Sequence, residues 1–161
     1  MRKMIYKYLF IILIISFGAL LAACQKEEDP FVDRVAAPLL VYVNNAKDGS
    51  GLVTEPVIES KISASVTIIS SFYELDKSGL LNNAIGIDSI PAASLEISLS
   101  QRNGGKIADL VTDPNGKITL TKTWAELGIS APKAGTTIPL AFTGHYKGQA
   151  FTKYLKVQAV N

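Results

Sequence analysis

Lys106-Ile107-Ala108-Asp109-Leu110-Val111-Thr112-Asp113-Pro114-Asn115-Gly116-Lys117-Ile118-Thr119-Leu120-Thr121 is the stretch whose reading decides the fold. Two short runs rich in Ile, Leu, Val and Thr flank Asp-Pro-Asn-Gly. Proline pre-sets the φ that the second position of a turn needs, and Asn-Gly accepts the positive φ that reverses a chain. The spacing predicts strands over 106–112 and 117–121 joined as a β-hairpin.

Working outward, the same two-residue period recurs on both sides. Upstream, residues 39–43 (Leu-Leu-Val-Tyr-Val) predict a short strand, at an edge because Pro38 opens it. Residues 44–51 have loop composition. Ile62, Ala64, Val66 and Ile68 alternate with Ser63, Ser65 and Thr67, and the run continues to Phe72 and Tyr73. A bend or bulge is expected near Ser70-Ser71. Leu80, Leu81, Ile85, Ile87 and Ile90 keep no period, so residues 76–93 are expected to hold a strand and a long loop. Leu95, Ile97 and Leu99 alternate again before the turn at Asn103-Gly104-Gly105.

Downstream, Thr123-Trp124-Ala125-Glu126-Leu127-Gly128 predicts one helical turn with a Thr cap and a Gly stop, crossing between sheets. Trp124 and Leu127 share its face, which is expected to cover the end of the core. Ile138, Leu140 and Phe142 predict another strand, placed at an edge or bulge by Pro139. Residues 144–148 (Gly-His-Tyr-Lys-Gly) are expected to turn. Phe151, Leu155, Val157 and Ala159 then face one way along the last strand, with Lys153 out of pattern. Short strands, frequent turns and one helical turn predict an all-β, antiparallel β-sandwich of about seven strands.

The N-terminus carries a different kind of signal. Arg2, Lys3 and Lys7 lead into an apolar run over 8–21, which ends in Leu21-Ala22-Ala23-Cys24. A basic head, a short apolar segment and small residues before a break are the parts of a secretory signal. The run falls short of the roughly 20 apolar residues that cross a bilayer core. The chain's single cysteine stands at the break. The expected organisation is a cleaved signal over 1–23, a lipidated, flexible linker over 24–37 and a β-sandwich over 38–161.

The formal charge of +2 includes Arg2, Lys3 and Lys7, and without them the rest of the chain carries −1. No basic stripe remains to neutralise phosphates, which argues against nucleic acid. With Cys24 acylated no thiol is left, so packing alone must hold the fold.

Leu21-Ala22-Ala23-Cys24 resembles the lipobox of bacterial lipoproteins, and Lys26-Glu27-Glu28-Asp29 after Gln25 resembles the surface-export segment of Bacteroidota lipoproteins. That likeness implies acyl chains, palmitate among them, on Cys24 and an outer-membrane, cell-surface location. Gln25 is not the aspartate associated with inner-membrane retention. Residues 117–160 are similar to the ending of bacterial immunoglobulin-like domains, with a Trp-containing turn, a strand over 134–142 and a hairpin over 144–148. The Cys-Trp-Cys core of antibody domains is missing.

No catalytic signature stands out. His145 is the only histidine, and it sits in a Gly-flanked turn without a nucleophile elbow elsewhere. The carboxylates Glu74, Asp76, Asp88, Glu96 and Asp109 are scattered, and spacing selects no glycosidase pair. Asp113 and Asn115 are explained by their turn rather than by calcium. No metal or other cofactor is expected. Among the aromatics Tyr42, Tyr73, Trp124, Tyr146 and Tyr154, Tyr146 at the predicted hairpin tip is the expected ligand contact. The resemblance implies a non-catalytic lipoprotein, accessory to binding or assembly in a glycan-uptake system, with an outer-membrane transporter complex or a polysaccharide as partner. The alternative is a structural or adhesive module that contacts another protein through an edge strand.

Overall fold

Apolar side chains at Val66, Ile68 and Phe72 share one face of a single long strand, and one of the two sheets is built around it. The computed structural model describes residues 37–161. The expected signal over 1–23, the expected lipid site at Cys24, the segment 26–29 and the expected linker up to residue 36 lie outside the described residues. Among the described residues nine strands form: β1 (Leu40–Val43), β2 (Val57–Lys61), β3 (Val66–Asp76), β4 (Asp88–Pro91), β5 (Glu96–Gln101), β6 (Lys106–Val111), β7 (Lys117–Lys122), β8 (Thr137–Tyr146) and β9 (Gln149–Val160).

Sheet A holds β1, β3, β4 and β7. Ser70 of β3 pairs with Val43 and Ile118, and Tyr73 pairs with Leu40 and Pro91. β1 therefore runs along one side of β3, while β7 and β4 lie end to end along the other. Phe72 bridges their junction, donating its N–H to the Gly116 carbonyl (2.8 Å) and accepting from the Ala92 N–H (3.0 Å). Gly116 has φ +68°, and a Cβ there would run into the Phe72 carbonyl, so only glycine fits. Sheet B has the order β2-β9-β8-β5-β6. Its pairs are antiparallel except β2 with β9, which run parallel.

The sheets meet through their inward phases. Phe72 of sheet A packs edge-on against Phe142 of sheet B, ring centroids 5.7 Å apart, and tilted against Phe151 at 6.2 Å. Such edge contacts suit the ring quadrupole and add to the burial of both rings. Val43, Val66, Ile68, Leu99, Leu140, Leu155 and Val157 complete the layer, all buried. Trp124 and Leu127 close one end, as the turn pattern predicts, and the Trp124 indole N–H donates to the Lys61 carbonyl (3.1 Å).

The all-β, two-sheet architecture agrees with the sequence reading, but several local expectations need correction. The count is nine strands rather than about seven, and the pairing is not wholly antiparallel. The Asp113–Gly116 turn forms, with the Gly116 N–H on the Asp113 carbonyl and Asp113 Oδ1 accepting from Asn115 and Lys117. It does not make a hairpin. β6 pairs with β5 and β7 with β3, so the turn carries the chain from sheet B to sheet A.

The strand read from Ile62 begins at Val66, because residues 62–65 turn between β2 and β3. No bulge interrupts β3 at Ser70-Ser71, where both ladders keep register. Pro139 lies in a central strand, not at an edge. Its carbonyl accepts from Arg102, just past the last β5–β8 pair, Gln101 with Leu140. The missing N–H falls on the side where β5 has already ended, so no ladder bond is lost. Residues 144–146 continue β8, and the turn narrows to Lys147-Gly148, with φ +49° and +80° as a two-residue hairpin loop requires. The segment 124–128 is a capped turn, and the short helix among the described residues is a 3-10 turn at Lys47–Gly49.

Candidate functional site

Alternation in sheet B sends Ile97, Phe142 and Phe151 inward, so their neighbours point outward. Pairing then lines those neighbours up. Asp109 stands opposite Ser98, Ser98 opposite Thr143 and Thr143 opposite Thr152, which makes one polar row across β6, β5, β8 and β9. In the next row Val111 faces Glu96 and His145 faces Ala150, with the β5–β8 register bringing Glu96 beside His145. Together these rows line an open groove of about 720 Å³.

The groove can offer hydroxyls, two carboxylates and an imidazole to a polar ligand. Lys106 donates to Asp109 Oδ2 at 2.7 Å. That bond holds the Asp109 carboxyl below its ordinary range, opposed by partial burial and aided by the Lys106 charge and the Ser98 hydroxyl. Asp109 is thus an acceptor rather than a proton donor near neutral pH. The groove brings together His145, Glu96 and Asp109, which are scattered in the sequence. Ser98, Thr143 and Thr152 were not anticipated as site residues. Alternation places each of them outward, but only strand pairing brings them into one row.

Tyr146 lies apart from the groove floor, half-buried at the hairpin. Its hydroxyl donates to Glu74 Oε2 (2.7 Å), and Lys147 Nζ reaches both carboxylate oxygens of Glu74 (2.6 and 2.8 Å). Lys147 first and Tyr146 second lower the Glu74 pKa, while Glu74 raises those of Tyr146 and Lys147. This trio ties the β8–β9 tip to the end of β3 and leaves the Tyr146 hydroxyl committed.

Two of the other aromatics are occupied as well. Trp124 is buried, and Tyr154 lies under the Arg102 guanidinium, 4.1 Å from its ring centroid. Asp76 and Asp88 bond to the Ser78 and Ser89 N–H groups respectively. Lys153, out of pattern in the sequence, occupies an inward position and donates to the Val53 carbonyl (2.6 Å); burial lowers its pKa. Among the described residues no three His, Cys, Asp or Glu side chains gather as a metal site.

The turn beside β7 carries a strongly shifted carboxylate. Glu126 accepts from Lys122 Nζ (2.9 Å), the Thr123 N–H (2.8 Å) and the Thr123 hydroxyl (2.9 Å), while its own N–H donates to that hydroxyl. This reciprocal cap lowers the Glu126 carboxyl from 4.5 to about 2, chiefly through Lys122. A depressed folded pKa contributes stability that is fully present above about 4.5 and lost as pH falls through about 2. Urea midpoints measured across that window should fall with pH in the wild type. Glu126→Gln should flatten the fall, leaving the residual slope of Glu74, Asp76 and Asp109. An unchanged slope would show that the cap is not populated in solution.

No family model, no curated protein and no solved structure matches the chain.

Proposed function

We propose that the chain is a lipid-anchored, non-catalytic outer-membrane protein whose sandwich is immunoglobulin-like and acts as an accessory binding or assembly module of a surface glycan-uptake system. The observation that carries this reading is Leu21-Ala22-Ala23-Cys24, behind a basic head and a short apolar run. The groove on sheet B supports the binding part. Its rows of Ser, Thr, Asp, Glu and His side chains match the hydroxyl-rich surface of a polysaccharide, and its openness suits a long chain laid across the strands. No Tyr or Trp lines the groove, so recognition there would rest on hydrogen bonds rather than on ring stacking.

Electrophoresis through gels containing individual soluble polysaccharides tests the reading. At least one polysaccharide should retard the wild type, and Ala150→Arg should remove the retardation. Ala150 is exposed in the groove wall, so the substitution blocks the site without disturbing the core. Retardation by none of the polysaccharides would exclude direct glycan binding. A second reading, an adhesive module, is favoured by β6, which among the described residues has a partner strand on one side only, leaving its other edge for a partner's strand. That reading expects capture of a protein through the edge, abolished by Val111→Pro, whose N–H alternates with the Thr112 N–H that bonds to Leu95 and so faces the free edge, and unaffected by Ala150→Arg.

A further inference from the structure

Leu80, Leu81, Ile85 and Ile87, in the loop between β3 and β4, are 58, 99, 67 and 48 % exposed, and Ile90 of β4 is 44 % exposed. Large apolar side chains left in water this densely mark a contact surface. The loop does not hold them there by accident of poor packing. The Ser78 N–H binds Asp76 Oδ1, and Asn82 accepts from Ala84 through its side chain and from Ile85 and Gly86 through its carbonyl. Ile85 closes over Gly79, where a Cβ would collide with it. The turns are therefore braced from within, and they display Leu80 and Leu81 outward.

Topology fixes which end of the sandwich this is. Leu40 pairs with Tyr73, near the finish of β3, so the chain enters the fold from residue 37 at the same end as the apolar loop. Residues 25–36, twelve in number, separate that point from Cys24 and span about 40 Å at most when fully extended. An anchor on Cys24 would keep the loop within reach of the bilayer at high effective concentration. The loop shows four large apolar side chains to water, and exposed Lys77 on its flank can reach lipid phosphates.

We infer that residues 80–87 form a second membrane contact, inserting Leu80, Leu81, Ile85 and Ile87 into the leaflet that holds the anchor, and so standing the sandwich with this end toward the lipid. The inference rests on the lipid-anchor reading. It implies that the sheet B groove is presented edge-on to the membrane rather than swinging freely on its tether.

The test uses the full, lipidated protein carrying Leu81→Cys, labelled there with the environment-sensitive fluorophore NBD; the acylated Cys24 thiol does not compete. The protein is reconstituted through its anchor into vesicles of phosphatidylethanolamine and phosphatidylglycerol. Emission should shift to the blue and be quenched by lipids doxyl-labelled near the headgroup. The same label at Asn103→Cys, in the β5–β6 turn at the opposite end, should remain water-like. Adding Leu80→Asp and Ile85→Asp should abolish the shift while flotation with the vesicles persists. Flotation with a water-like, unquenched label at position 81 overturns the inference and leaves the anchor standing. A blue shift without vesicles, accompanied by a dimer in sedimentation, assigns the patch to a second copy and also overturns it. Failure to float refutes the anchor reading, and the inference falls with it.

Discussion

Phe142→Ala is expected to lower the unfolding free energy by about 3–5 kcal/mol. Phe142 is fully buried in β8, which has β9 on one side and β5 on the other. Its ring meets Phe72 edge-on across the interface between the sheets. Both neighbouring strands are locked in register, with Lys153 and Leu99 opposite it, so the walls cannot collapse into the space. A domain stable by about 5–15 kcal/mol would lose about a fifth of that margin or more. Trp124 reports the transition because it is the single tryptophan and is 5 % exposed. Urea unfolding followed by its fluorescence should show the drop, whereas Leu81→Ala should stay within about 0.5 kcal/mol. A loss below about 1 kcal/mol for Phe142→Ala would mean that the sheets do not meet through this ring.

Strands that bury one face over several residues were legible from sequence. Leu95, Ile97 and Leu99, or Ile138, Leu140 and Phe142, write their burial directly into a two-residue period. β2 was missed because only Ile58 among its five residues is buried; a half-buried edge strand leaves almost no period. β4 leaves none, since all four of its residues are exposed. Ser70 misled differently. Two serines suggest a change of face, yet the Ser70 hydroxyl is buried without a partner, and Ser71 on the other face bonds to Asn44. A short serine side chain is small enough to be buried without breaking the ladder.

The largest error concerned pairing rather than local conformation. Asp-Pro-Asn-Gly states that the chain turns, and it does, but a turn does not dictate which strands pair across it. β7 takes its ladder from β3, about fifty residues earlier, because that pairing puts Ile118 on the inner face. The same limit hid the candidate groove. Ser98, Asp109, Thr143 and Thr152 come from four strands, and their row exists only once the order β9-β8-β5-β6 is known. Pro139 shows the converse case. Its effect depends on where the neighbouring strand stops, and that cannot be read from the residues around it.

Cys24→Ala should remove membrane anchorage almost completely. Each buried CH₂ contributes about 0.8 kcal/mol, so one acyl chain holds a protein marginally and several hold it essentially permanently. The substituted chain loses every one of them. It should also stay uncleaved, keeping residues 1–23, whose apolar run over 8–21 is too short to cross a core about 30 Å thick as a helix rising 1.5 Å per residue. Among the described residues no helix is long and apolar enough to take its place. The apolar loop over 80–87 would supply only weak, reversible contact once the tether is gone. Growth with radiolabelled palmitate should therefore give a labelled, membrane-bound band for the wild type. Cys24→Ala should give an unlabelled band of higher mass that washes off in alkaline carbonate. If the wild type takes up no palmitate and Cys24→Ala is cut to the same size, residues 1–23 are an ordinary secretory signal. The domain would then be released rather than anchored, and a role that depends on being held at the outer membrane would have to be abandoned.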